Sequence, residues 1–183
     1  QGRDALNFVN KVYCNGFAKL PVGKVRYGLM LREDGIVMDD GTTARMSENH
    51  FIMTTTTVNA ESVYRHLEFC HQCLWPEMDV HLISTTDAWA QIAIAGPNSR
   101  KIVSKIVDNQ FDVSNENFPF MACKEITICG GVLARLFRIS FSGELAYELS
   151  VPTQYASSLA SYLMEIGKEE NIIPYGTEAL GVM

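Results

Sequence analysis

Apolar positions along this 183-residue chain recur with two periods, and the switches between them mark its elements. Over residues 4–14, Leu6, Val9, Val12 and Tyr13 fall on one helical stripe, with Asp4 placed to cap it. Pro21 and Gly23 break the pattern, and Val25–Leu31 reads as a strand. Asp34-Gly35 supplies a hairpin turn, and Ile36-Val37-Met38 opens a second strand that ends at Asp39-Asp40. After the turn Ser47-Glu48-Asn49, the β-branched run His50–Thr57 predicts a third strand. Asn59 stands where it would cap a helix over residues 60–74. In that helix Val63, His66, Leu67, Cys70 and Leu74 share a face, and Pro76 closes it.

Beyond it, Val80–Thr85 and Trp89–Ala95 read as strands, and Gly96-Pro97-Asn98-Ser99 turns into a helix over about residues 99–107. An irregular stretch, Asn109–Phe120, precedes three strand-like runs: Lys124–Cys129, Val132–Ile139 and Tyr147–Val151. Gly130-Gly131 turns between the first two, and Pro152-Thr153 opens a helix over about residues 153–167. Few of these strands are joined through crossover helices, which favours an α+β architecture over a doubly wound one. The expected division falls near residues 86–88, giving a first α+β unit over 1–87 and a second over 88–183.

Composition narrows the functional classes. Apolar residues make up 47% and charged residues 20%, values that fit a globular chain and not a disordered one. Apolar runs are only a handful of residues long, too short for a membrane-spanning helix. Fifteen Lys and Arg against twenty-one Asp and Glu leave a net charge of −6, which argues against nucleic-acid binding. Five irregularly spaced cysteines predict free thiols in a reducing, cytoplasmic compartment. Gln1 is not an initiator methionine and Met183 stops within an apolar pattern, so the chain is expected to be an excerpt of a longer polypeptide.

Most candidate motifs reduce to structure. Cys70-His71-Gln72-Cys73 has no second ligand pair for zinc and lies near a helix end, where a redox pair would need a helix start. It is read as core or half-buried thiols. The histidines lack metal or nucleophile spacing, no glycine-rich phosphate cradle occurs, and Ser142-Gly143 has no triad around it. Two features stand out. Asp39-Asp40 pairs carboxylates at an expected strand end, where alternation sends one to each face; locally the pair also fits a solvated loop. Glu148 lies between Tyr147 and Leu149 in an expected strand, a costly place for a carboxylate without donors. Such a group suits a heterocycle that offers two N–H donors side by side.

Phe141-Ser-Gly-Glu-Leu-Ala-Tyr-Glu-Leu149, with Gly35-Ile-Val-Met-Asp-Asp40, resembles the aminomethyltransferases, the T-proteins of glycine cleavage and their relatives. Leu20-Pro-Val-Gly-Lys-Val-Arg-Tyr-Gly-Leu-Met-Leu-Arg-Glu-Asp34, Met53-Thr-Thr-Thr-Thr57 and Pro174-Tyr-Gly-Thr-Glu-Ala-Leu180 look more specifically like the alpha subunits of heterotetrameric sarcosine oxidases. The likeness covers essentially the whole chain. It implies the T-protein folate-binding fold, here incomplete at the C-terminal end, as two small α/β sandwich units.

Residue by residue, the resemblance makes Asp40 the catalytic, folate-side aspartate and Tyr27 its companion thirteen residues earlier. Glu148 becomes the pterin-binding glutamate. Phe141 stands where relatives usually carry Tyr, and Thr56 where many carry Asn; both are expected folate contacts. Glu178 replaces an arginine of many T-proteins, so that residue's role does not carry over. The implied function is tetrahydrofolate binding within a sarcosine oxidase. The imine from oxidised sarcosine would pass its one-carbon unit to tetrahydrofolate, giving glycine and 5,10-methylenetetrahydrofolate. Flavin and NAD are expected elsewhere in the complex, beta, gamma and delta subunits as partners, and no metal, membrane or nucleic acid. A non-catalytic assembly module and a glycine-cleavage-type aminomethyltransferase are the alternatives.

Overall fold

The computed structural model describes residues 1–182, with Thr177 and Leu180 described by backbone alone. Met183, on which the expectation of an interrupted apolar pattern rests, lies outside the described residues. The chain forms two compact units, Gln1–Thr86 and Asp87–Met183. Each holds a small antiparallel sheet, so the molecule is α+β.

In the first unit α1 (Ala5–Val12) and α2 (Ala60–Phe69) pack with a sheet of β1 (Lys24–Leu31), β2 (Val37–Ser47) and β3 (His50–Met53), in that order. Phe8, Val9 and Val12 of α1 join Tyr13, Phe17, Met30, Val63 and Leu67 in one apolar core. Two glycines paired across β1 and β2 make room for different neighbours, Gly28 for that core and Gly41 for the chain after β3. A Cβ on Gly28 would lie 2.8 Å from the Tyr13 ring, and one on Gly41 would collide with the Thr54 carbonyl oxygen.

Several local expectations for this unit need correction. β2 does not end at Asp39-Asp40 but runs eleven residues straight through them, because donors from other segments satisfy both carboxylates. β3 stops at Met53, not Thr57: the Thr54 hydroxyl accepts from the Thr42 amide at 3.0 Å, so a side chain takes over the next ladder position. The α2 helix ends at Phe69, and Cys70–Leu74 widens into a π-type turn with Trp75 N–H bonded to the Cys70 carbonyl at 2.9 Å. Neither Asp4 nor Asn59 caps its helix through its side chain. The Asp4 carboxylate instead accepts from the Asp79 amide at 3.0 Å. Val80–Thr85 is irregular, since the backbone of His81 pairs with Gln1 of the N-terminal segment and not with a sheet strand.

The second unit is a four-stranded antiparallel sheet of β4 (Trp89–Ala95), β5 (Cys123–Ile128), β6 (Val132–Phe137) and β7 (Ala146–Pro152), ordered β4-β7-β6-β5. Two helices, α3 (Ser99–Ile106) and α4 (Ala156–Ile166), cover one face; a short α5 (Thr177–Leu180) follows. Alternation on β7 sends Tyr147, Leu149 and Val151 into that covered core, all three fully buried with Val103, Ala134 and Leu136. Burying side chains of this size contributes roughly 1.5–3 kcal/mol each, which fixes the register of β7. The same alternation puts Ala146, Glu148 and Ser150 on the face away from the helices.

Candidate functional site

On the first unit's sheet, register decides what each carboxylate meets. Tyr27 lies opposite Thr42, and Leu29 lies opposite Asp40, so Tyr27 and Asp40 are diagonal neighbours on one face. The Tyr27 hydroxyl donates to Asp40 Oδ2 at 2.6 Å. That bond is the main reason the Tyr27 phenol is pushed above its ordinary pKa, with slight burial and the charges of Asp40 and Asp39 adding to it. Tyr27 therefore stays a donor, and Asp40 keeps Oδ1 clear of hydrogen bonds among the described residues.

Asp39 points the other way and is 4% exposed. It accepts from the Thr56 amide at 3.2 Å and from the Asn59 side-chain amide at 3.0 Å. Beneath it Tyr13 is buried, and desolvation, reinforced by the charge of Asp39 and opposed by the Thr43 hydroxyl, pushes its phenol up to about 12. Thr56 is thus tied through its backbone to Asp39, not to Asp40, while its side chain lies exposed.

In the second unit Glu148 sits in the middle of β7, opposite Ala93 of β4 and Phe137 of β6. It is half-buried and accepts from the Gln91 amide through Oε2. Burial between these apolar neighbours pushes its carboxyl up from the ordinary range, and the Gln91 donor pulls it partly back. Phe141 and Glu144 lie outside the strand in the exposed loop that precedes β7, Phe141 at 84% exposure. Within this unit, then, Glu148 is held by the sheet and Phe141 is not.

Three contributors escape a sequence reading. Asn59 reads as a cap but serves Asp39 across twenty residues. Gln91 and Ser150, linked through the Ser150 hydroxyl at 3.1 Å, form a polar pair beside Glu148. The only signal for them is a polar residue at alternate positions of otherwise apolar strands. Among the described residues no three His, Cys, Asp and Glu gather as a metal-binding group, and no helix is long and apolar enough to cross a membrane. Cys14, Cys70, Cys73 and Cys129 carry free thiols; Cys70 is buried beside the His66 ring and Cys73 is exposed.

Comparison with known proteins gives a consistent picture. The chain is 61% identical over 183 residues to the sarcosine oxidase subunit alpha of Rhizobium meliloti (strain 1021), covering all of this chain and 18% of that relative. It is 46% identical, over the same length, to the subunit alpha of Corynebacterium sp. (strain P-1), covering 19% of it. The aminomethyltransferase of Geobacillus sp. (strain WCH70) is 32% identical over 179 residues, with 98% of this chain and 47% of that protein aligned. The chain thus spans about a fifth to a half of the curated relatives it matches. In fold it is similar to the crystal structure of glycine cleavage system aminomethyltransferase T from Bartonella henselae, at a TM-score of 0.75 and 23% identity. That match covers 90% of this chain and 41% of the solved one. The family model for the GCVT N-terminal domain matches residues 1–183, and the chain belongs to that family.

Proposed function

We propose that this domain binds tetrahydrofolate within a sarcosine oxidase. Its task is to pass on the one-carbon unit of oxidised sarcosine, giving glycine and 5,10-methylenetetrahydrofolate. The likeness of the whole chain to sarcosine oxidase alpha subunits supports the setting, and the likeness to aminomethyltransferases supports the folate. The observation that carries the reading is a mid-strand carboxylate in each unit with one oxygen held by a neighbour and the other clear: Asp40 by Tyr27, Glu148 by Gln91.

Each unit, taken by itself, offers residues suited to part of the group. Glu148 offers a half-buried acceptor to paired N–H donors of a pterin ring, where a charged hydrogen bond outcompetes water. Tetrahydrofolate, when bound, supplies the nucleophilic N5 and the N10 that close on the incoming carbon. Asp40 orients the N10 side through Oδ1 and takes its proton there, while Tyr27 fixes the carboxylate through Oδ2. Thr56 and Phe141 are the remaining folate contacts in this reading. The flavin that oxidises sarcosine, and NAD, belong elsewhere in an assembly with beta, gamma and delta subunits. The free thiols of Cys14, Cys70, Cys73 and Cys129 suit a cytoplasmic setting.

The intact protein turning over sarcosine tests this. Adding tetrahydrofolate should lower free formaldehyde and yield an equal amount of one-carbon folate. Formaldehyde release unchanged by tetrahydrofolate would contradict the proposal.

A further inference from the structure

We propose that Gln91 is a positioning residue for Glu148, and that Ser150, Gln91 and Glu148 form a directed hydrogen-bond relay that turns the carboxylate edge toward the paired N–H donors of the pterin. The inference rests on the reading of Glu148 given above. Register builds the relay: Gln91 lies directly opposite Ser150 across β4 and β7, and Ala93 lies opposite Glu148, so Gln91 and Glu148 are diagonal neighbours on one face. Ala93 is small enough to leave that diagonal open.

The direction of the relay follows from donor and acceptor chemistry. An ionised carboxylate only accepts, so the amide nitrogen of Gln91 must face Glu148. The amide oxygen then faces Ser150, whose hydroxyl donates to it at 3.1 Å. Ser150 is 5% exposed, so its hydroxyl has little water to turn to. The hydroxyl therefore holds the amide against flipping, and the amide pins Oε2. Oε1 accepts no hydrogen bond among the described residues and Oε2 keeps a second lone pair, so the carboxylate edge is left for a ligand.

Other charges on this face are already committed. Arg135 of β6, opposite Ser150, places its guanidinium 3.8 Å from the centre of the Trp89 ring and bonds Glu125 of β5 through Nε at 3.2 Å. Beside Glu148 itself, β4 presents Ala93 and Gln91, and β6 presents Phe137. Gln91 is thus the one donor these strands give the carboxylate. Its loss disfavours the ionised form, and binding that needs that form then fails at a higher pH on acidification.

Calorimetric titration of the intact protein with tetrahydrofolate across pH tests the relay. Gln91→Leu should weaken binding about tenfold, the size of one charge-assisted hydrogen bond. It should also move the pH at which binding is lost upward. Gln91→Glu, which adds a second carboxylate, should move it further in the same direction, and Ser150→Ala should act the same way but only about two- to threefold in affinity, since the amide is then free to turn. Glu148→Gln should bind weakly with no such step. Wild-type affinity in Gln91→Leu, or a loss of equal factor at every pH, would overturn the positioning role while leaving Glu148 in place. Wild-type binding by Glu148→Gln would overturn the site reading, and the relay with it.

Discussion

Asp40 and Glu148 are both carboxylates in the middle of antiparallel strands, yet their surroundings differ in ways that suit different tasks. Asp40 shares a solvent-reaching face with an exposed tyrosine that donates to it at 2.6 Å. Glu148 is flanked by Ala93 and Phe137, and burial makes its charged form harder to keep. A carboxylate with an open oxygen and a fixed partner suits proton transfer. One half-buried on a pleated surface suits recognition, because its remaining acceptor capacity meets less competition from water. Asp39, adjacent to Asp40, represents a third outcome. Buried with two N–H donors, it serves the fold.

The largest expected effect separates Asp40 from Asp39. In the assembled protein Asp40→Asn should cut one-carbon transfer to tetrahydrofolate by about 10²–10⁴-fold, the usual range for a general acid–base group, with sarcosine oxidation nearly intact and formaldehyde accumulating. Asp39→Asn should change that partitioning little. Reversed sensitivities would move the catalytic role to the buried carboxylate.

Stability should show the opposite order. Asp39→Ala strands the Thr56 amide and the Asn59 side chain, and should lower unfolding free energy by about 2–3 kcal/mol in urea titrations, against little change for Asp40→Ala. Equal losses would remove the contrast between the two faces of β2.

A related effect appears in alkali. Because Tyr13 has its pKa raised to about 12 from 10.0, its contribution to stability is whole below the unfolded value. It is lost as pH climbs through the folded one, roughly 2–3 kcal/mol in all. Denaturation midpoints of Tyr13→Phe should lack that part of the alkaline decline. Parallel declines in both proteins would show that the phenol is not held in a desolvated site. The smallest effect belongs to Tyr27→Phe, which removes an exposed hydrogen bond and should slow transfer only about threefold.

Legibility in the sequence follows the range of the interactions. Trp89–Ala95 and Lys24–Leu31 read correctly to within a residue, because period-2 alternation and flanking turns are local signals. The continuation of β2 past Asp40 is not legible, since the carboxylates that look like a strand end are met by Tyr27, Thr56 and Asn59 at separations of 13, 17 and 20 residues. Val80–Thr85 carries a strand pattern, but its backbone finds the N-terminal segment before any sheet. At the candidate site the carboxylates themselves are visible as anomalies in apolar strands. The groups that orient them, Gln91 and Ser150 above all, become visible only once register places them side by side.

The division of labour between the two carboxylates is tested most directly by calorimetric titration of tetrahydrofolate into the intact protein, comparing Glu148→Gln with Glu144→Gln. Glu148 is held in β7 with one donor, whereas Glu144 is exposed in the preceding loop. Removing the partner of two pterin N–H groups should cost about 2–4 kcal/mol of binding free energy, so Glu148→Gln should lose most of its affinity while Glu144→Gln binds as the parent does. Equal affinities in the two variants would contradict the assignment of Glu148 as the folate-recognising carboxylate.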